Sequence, residues 1–186
     1  MLASTALVGL DVAPQPAEAG WAGISSGTGC NSVNAARAAS LGGYYWNLSS
    51  QMADAQEWVF GYIFNPTDLF AYSDPTPTTD LVYRDLDYST YCGYDWYAPG
   101  QGGITGLTTC DSLMGSGACR THSIRFSTVY SGSASVTARR GLACHETGHA
   151  IGLTHATSAS TCMTPGNSST VNQWNPTEIG WINAFY

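Results

Sequence analysis

The chain has 186 residues, a length that suits one domain with a sizeable core. Hydrophobic residues make up 44% and charged residues only 10%, and six arginines, no lysine and 13 acids leave a formal charge of -7. That balance is the wrong sign for a nucleic-acid surface, which needs a basic patch, and no apolar run is long enough to span a membrane.

In chain order, residues 1–19 read as a truncated signal peptide. A short apolar run at 2–10 leads to Ala17-Glu18-Ala19, the small-x-small pattern of a signal-peptidase site. No positively charged segment precedes the run, so the reading frame is expected to begin further upstream; an ordinary irregular N-terminus is the alternative. The domain then occupies residues 20–186. Residues 30–58 contain the helix-favouring stretches VNAARAASL and SSQMADAQEW, interrupted by Gly42-Gly43, and predict a long helix with a break. Residues 59–64 are β-branched and aromatic, stop at Asn65-Pro66, and predict a strand. Residues 65–79, with three prolines, predict an exposed loop. A strand is expected over 80–86 with Leu81, Val82 and Tyr83 at its centre. The Tyr- and Gly-rich residues 88–103 predict a structured loop, in which Trp96 and Tyr97 either line a cleft or cover core. Short strands come next at 104–109 and 123–128, and a Ser/Gly loop then leads to the next helix. Asp80, Asp85, Asp87 and Asp95 are oxygen donors of the kind calcium takes. They lack EF-hand or similar spacing, so solvated loop carboxylates are the preferred reading and a Ca2+ site the weaker one.

The chemistry concentrates in residues 145–155, HETGHAIGLTH, which hold three of the four histidines. The fixed positions read H-E-x-x-H-x-x-G-x-x-H. His145 and His149, four apart, share one face of a helix one turn apart, where two imidazoles reach one metal ion. Glu146 lies about 100° further round the helix, placed for proton transfer rather than ligation. Gly152 takes left-handed backbone angles at little cost, so it ends the helix and turns the chain to bring back His155. Three neutral imidazoles leave a zinc ion an open position, as in catalytic rather than structural sites. A chance match to five such positions is on the order of one in ten million per start position. His122, outside the motif, is expected to be structural.

Six cysteines point to an oxidising compartment and a secreted, extracellular protein. Cys144 and Cys162 bracket the motif; a bridge between them closes a loop worth about 3 kcal/mol by loop-closure entropy. Cys110 and Cys119 are near enough for a local bridge, which leaves Cys30 with Cys92. Six cysteines allow 15 pairings, so this set is one hypothesis among them.

The motif, together with the residues C-terminal to it, resembles the metzincin clan of zinc endopeptidases, most closely its matrixin-like branch. Met163, eight residues after His155, matches the clan's methionine turn, and Thr164-Pro165 completes a Met-x-Pro arrangement. Astacin-like and serralysin-like relatives have a tyrosine where this chain has Pro165. Residues 177–186, TEIGWINAFY, are similar to the closing matrixin helix, with Glu178 alone of the usual acidic pair. The strong resemblance covers residues 142–186; upstream, 80–82, 104–109 and 123–128 are similar in order to the third, antiparallel edge and fifth strands.

The resemblance implies an α/β (α+β) fold: a twisted five-stranded mixed sheet, two long helices, and a small C-terminal subdomain ending in a helix. It implies one catalytic Zn2+ held by His145, His149 and His155, with Glu146 as general base and acid. It also implies peptide substrates that pair with the edge strand and a pocket walled by residues 166–174. The expected function is a secreted zinc-dependent endopeptidase, monomeric, acting on protein or peptide, with no nucleic-acid or membrane partner. A narrow peptidase on cell-wall or toxin-like targets and a non-catalytic metal-stabilised binding module are the alternatives.

Overall fold

The computed structural model describes residues 21–24, 27–30, 33–86, 90–99, 104–166 and 170–186; the expected signal segment at 1–19 lies outside them. The chain runs through β1 (Ser40–Tyr45), α1 (Ser50–Trp58), a π-helical turn (Val59–Ile63), β2 (Phe70–Ser73) and β3 (Leu81–Leu86). A small hairpin, β4 (Thr90–Tyr91) and β5 (Tyr94–Pro99), precedes β6 (Gly106–Leu113) and β7 (Cys119–Ser127). Helices α2 (Thr128–Ser133), α3 (Val136–Ala150) and α4 (Pro176–Phe185) close the chain. Five strands form one mixed sheet in the order β2-β1-β3-β7-β6. The first four in that order pair in parallel, and β6 runs antiparallel to β7 along one edge. Among the described residues the architecture is mixed α/β, a five-stranded mixed sheet with four α-helices.

Several local expectations give way to tertiary packing. The long helix over 30–58 is instead a strand followed by a helix: residues 40–45 are β1, and only 50–58 are α1. The reason lies in Gly42-Gly43. A Cβ on Gly42 would lie 2.2 Å from Thr79 Oγ1, and one on Gly43 would lie 3.1 Å from the Phe60 ring. The glycine pair lets neighbouring segments close onto the strand, and the Gly42 N–H donates to Asp80 Oδ2 at 2.9 Å. The strand expected at 59–64 is a π-helical extension of α1 in which the Phe64 N–H donates to the Val59 carbonyl. A short apolar run does not distinguish buried strand from buried helix by period, and here Val59 and Ile63 reach the same core.

The loop over 65–79 contains edge strand β2, and the loop over 88–103 contains the β4–β5 hairpin, whose turn residues Cys92 and Gly93 both have positive φ (56° and 78°). Two such residues form the tight connection a two-residue hairpin needs. The Ser/Gly loop after β7 is largely α2, capped by the Ser127 hydroxyl, and β6 and β7 run beyond the expected 104–109 and 123–128.

Helices α1 and α3 share the core that Leu81 and Tyr83 of β3 enter together with Ile124 and Phe126 of β7. Side chains such as Leu142 and Met52 are fully buried there, each worth about 1.5–3 kcal/mol relative to exposure. A buried polar contact crosses the same layer: the Tyr83 hydroxyl lies 3.4 Å from Thr147 Oγ1, which lies 3.3 Å from Gln56 Oε1. These contacts fix α3 against the sheet, with β6 beside it. Three disulfides, Cys30–Cys92, Cys110–Cys119 and Cys144–Cys162, staple the N-terminal segment to the hairpin turn, β6 to β7, and α3 to the segment beneath it.

Candidate metal centre

Helix α3 begins where the Ser135 hydroxyl accepts from the Ala138 N–H at 3.2 Å, filling one of the orphan donors of a first turn. It ends in a Schellman arrangement. The Leu153 N–H donates to the Gly148 carbonyl at 2.9 Å and the Gly152 N–H to the His149 carbonyl at 3.2 Å, with Gly152 at φ 101°. A side chain at Gly152 would also crowd Ala35 and the Gly23 carbonyl. The glycine therefore reverses the chain and returns His155 to the helix face carrying His145 and His149.

The three imidazoles converge. His145 Nε2 is 3.1 Å from His149 Nε2 and 3.3 Å from His155 Nε2. The remaining ring nitrogens explain what those distances mean. His145 Nδ1–H donates to the Cys162 carbonyl at 2.7 Å, and His149 Nδ1–H donates to the Leu153 carbonyl at 2.8 Å. Both Nε2 atoms of that pair are then lone pairs facing each other, an arrangement that needs a positive partner. Nitrogen ligands at about 2.0–2.1 Å from a tetrahedral zinc stand about 3.3 Å apart, so the two separations from His145 Nε2 and the tautomers of His145 and His149 fit such an ion. Burial, opposed by the Cys162 carbonyl hydrogen bond, lowers the His145 pKa to about 4. Burial and then the neighbouring His145 lower that of His149 to about 3, and burial lowers that of His155. All three are neutral, ligand-competent imidazoles at neutral pH.

Met163 lies beneath this face, fully buried. A Cβ on Gly148 would lie 2.3 Å from Met163 Sδ and 3.1 Å from Trp174 Nε1. Gly148 is thus the opening through which the methionine reaches the helix between two of its histidines. The segment carrying Met163 is held from three sides. Its N–H donates to the Thr161 hydroxyl, which donates to Glu178 Oε2 at 2.6 Å; its carbonyl accepts from the Ala156 N–H; and Cys162 is bonded to Cys144 of α3. Glu178 also closes a capping box with Asn175 at the start of α4, where Pro176 occupies the first turn. Trp174 is buried against Phe64, so the far end of the 166–174 segment is core; residues 167–169 lie outside the described residues.

Glu146 is buried between α3 and β6. The Thr108 hydroxyl reaches Glu146 Oε2 at 2.9 Å and the Glu146 backbone carbonyl at 2.7 Å. Burial raises the Glu146 pKa to about 8 against the opposing pull of the Thr108 hydrogen bonds. A nearby cation acts in the opposite direction and favours the carboxylate.

Sequence reasoning missed Thr108 and Gly148. A glycine inside a helix is a recognisable mark of close approach. Nothing in the spacing links Thr108 to a residue 38 positions away.

The other candidate groups have different uses. Cys110, Cys119 and His122 also cluster, but the two sulfurs are joined as a disulfide and offer no thiolate. His122 is buried with Nε2 2.9 Å from the Asn34 carbonyl. Asp80 binds Arg37 and the Gly42 N–H, Asp85 accepts from the Ser49 N–H, and Asp95 accepts from the Tyr97 N–H. Asp87 lies outside the described residues, and the other three form no ligand cluster with one another among those described. Trp96 is buried with its indole N–H on the Tyr91 carbonyl, while Tyr97 is exposed. Among the described residues no helix is long and apolar enough to cross a membrane. No protein-family model matches the chain, and no curated protein matches it.

Proposed function

We propose that the chain is a secreted zinc-dependent endopeptidase of metzincin type, in the matrixin-like branch. The observation that carries this reading is the convergence of the three imidazoles, His149 Nε2 and His155 Nε2 lying 3.1 and 3.3 Å from His145 Nε2, with the Nδ1 atoms of His145 and His149 committed to carbonyls. Glu146, adjacent to the first ligand, separates this reading from a purely structural metal site, which has no use for a buried carboxylate there. The sheet order supports it too. Counting the sheet's strands along the chain, β3 is third, β6 is the antiparallel edge and β7 is fifth, where the resemblance expects them. Three disulfides suit an oxidising, extracellular setting.

His145, His149 and His155 would hold a zinc ion, which would supply Lewis acidity toward a substrate carbonyl and lower the pKa of a water to about 7. The chain's own residues do the rest. An extended peptide pairs along the outer edge of β6, which satisfies its backbone without demanding one sequence. Glu146 accepts one proton from the attacking water as the water oxygen bonds to the scissile carbonyl carbon. The C–N bond breaks and Glu146 delivers that proton to the leaving nitrogen. Pro165 stands where a tyrosine would otherwise assist, so the transition state is met without that hydroxyl.

Elemental analysis and peptide-library profiling test this together. The expected result is one zinc per chain and cleavage of many library peptides, abolished by a chelator and restored by zinc. A zinc-loaded protein that cuts nothing would sink the peptidase reading and leave a metal-stabilised binding module. Cleavage confined to a few sequences would mark a narrow-specificity enzyme.

A further inference from the structure

The Glu146 carboxylate is placed by the edge strand as well as by its own helix. Gly106 and Thr108 are two apart on β6, so they address the same face of the sheet. Their partners on β7, Phe126 and Ile124, fix the register of that face. A Cβ on Gly106 would lie 2.6 Å from Glu146 Oε1 and 2.8 Å from its Cγ. No side chain fits there while the carboxylate keeps its position. Two residues on, the Thr108 hydroxyl lies within hydrogen-bond distance of Oε2 and of the Glu146 backbone carbonyl. The single hydroxyl proton is shared between the Glu146 backbone carbonyl and Oε2, and this three-centre contact restrains rotation of the carboxylate. Thr108 is 7% exposed and Glu146 4% exposed, so bulk water is not at hand to replace the hydroxyl.

We propose that Gly106 and Thr108 are positioning residues for Glu146: Gly106 provides the space, Thr108 holds Oε2, and Oε1 is left as the oxygen that receives the water proton. This rests on Glu146 acting as the general base. A carboxylate free to swing would spend time with neither oxygen aligned, and misplacement of about 1 Å is enough to reduce rate by about a hundredfold. Because the Thr108 hydroxyl is turned to Glu146 while the peptide would pair with the strand's backbone, replacing this side chain acts on turnover and leaves binding of metal and peptide in place.

The test compares Thr108→Val, Thr108→Ser and Gly106→Ala with wild type on a quenched fluorogenic peptide selected by wild-type cleavage from a mixed library. Zinc content and melting temperature are measured on every sample. Thr108→Val should keep its zinc and a KM within about twofold, and lose kcat by about tenfold to a hundredfold. Thr108→Ser, which restores the donor, should recover kcat to within about threefold of wild type, while Gly106→Ala should lose kcat like the valine variant. A Thr108→Val enzyme with wild-type kcat, or a serine variant as slow as the valine variant, would overturn the proposal. Crystal structures of wild type and Thr108→Val read the same claim without activity. The carboxylate should rest on Thr108 through Oε2 in the first and be displaced in the second; an unmoved carboxylate contradicts positioning. If zinc-loaded wild type cuts no peptide, the peptidase reading fails, and the crystallographic comparison still decides the role of Thr108.

Discussion

The histidines of this chain are sorted by what their ring nitrogens touch. His145 and His149 give Nδ1–H to carbonyls and turn Nε2 toward each other, whereas His122 spends Nε2 on the Asn34 carbonyl within the protein interior. Burial lowers the His122 pKa from 6.5 to about 4, opposed by the Asn34 hydrogen bond. The unfolded chain therefore takes up this proton first on acidification. Stability from His122 is complete above about pH 6.5 and is lost as pH falls toward 4, a change of about 3 kcal/mol. His122→Gln, which keeps a donor for Asn34, should flatten that part of the stability profile in urea unfolding at stepped pH. An unchanged slope would contradict the assignment. Gly148 offers a second test at this scale. Gly148→Ala gains helix propensity of about 1 kcal/mol but drives a methyl into Met163, and overpacking of this kind costs about 1–3 kcal/mol. A net loss of about 1 kcal/mol is expected by chemical denaturation, and a stabilised variant would contradict the close approach of Met163.

Among the elements, α3 depends on the segment below it. The Cys144–Cys162 bridge spans 18 residues, and the Cys162 carbonyl is the acceptor that orients His145. Replacing both cysteines by serine should lower stability by about 3 kcal/mol. It should also weaken zinc affinity in competition with a chromophoric chelator, because the acceptor is no longer anchored. Wild-type affinity in a destabilised variant would confine the bridge to a structural role. The α4 cap gives a milder case: Asn175→Ala should cost about 1 kcal/mol, read as a lowered melting temperature.

The elements that were legible in the sequence are those with local punctuation. Gly152 marks the end of α3, whereas α4 was expected at 177–186 from the resemblance alone and starts at Pro176 behind an Asn175–Glu178 capping box that sequence reasoning did not use. The illegible ones were decided at a distance. Gly42-Gly43 reads locally as a weakened helix and serves as a strand that Thr79 and Phe60 crowd. Residues 59–64 are too short for period to separate strand from helix. The hairpin turn at Cys92-Gly93 depends on two positive φ angles, one of them at a residue that composition does not flag.

At the scale of the whole molecule, the candidate centre is assembled from separate parts. Helix α3 brings two histidines and Glu146, the reversal after Gly152 brings His155, the disulfide-held turn brings Met163, and β6 brings Thr108. The three histidines lie within eleven residues of sequence, and their convergence was legible from spacing alone. Their surroundings, the β6 contact and the opening at Gly148, come from packing that spacing does not record. The acidic, lysine-free surface bears on solubility and encounter rather than on the chemistry of the site. In the proposed function, three imidazoles hold an ion beside a carboxylate that moves a proton. The most direct test compares the rate of peptide-library cleavage by wild type and Glu146→Ala at equal measured zinc content. The variant should retain one zinc per chain and lose cleavage by at least about a hundredfold. A zinc-loaded Glu146→Ala protein that cleaves at the wild-type rate would contradict it.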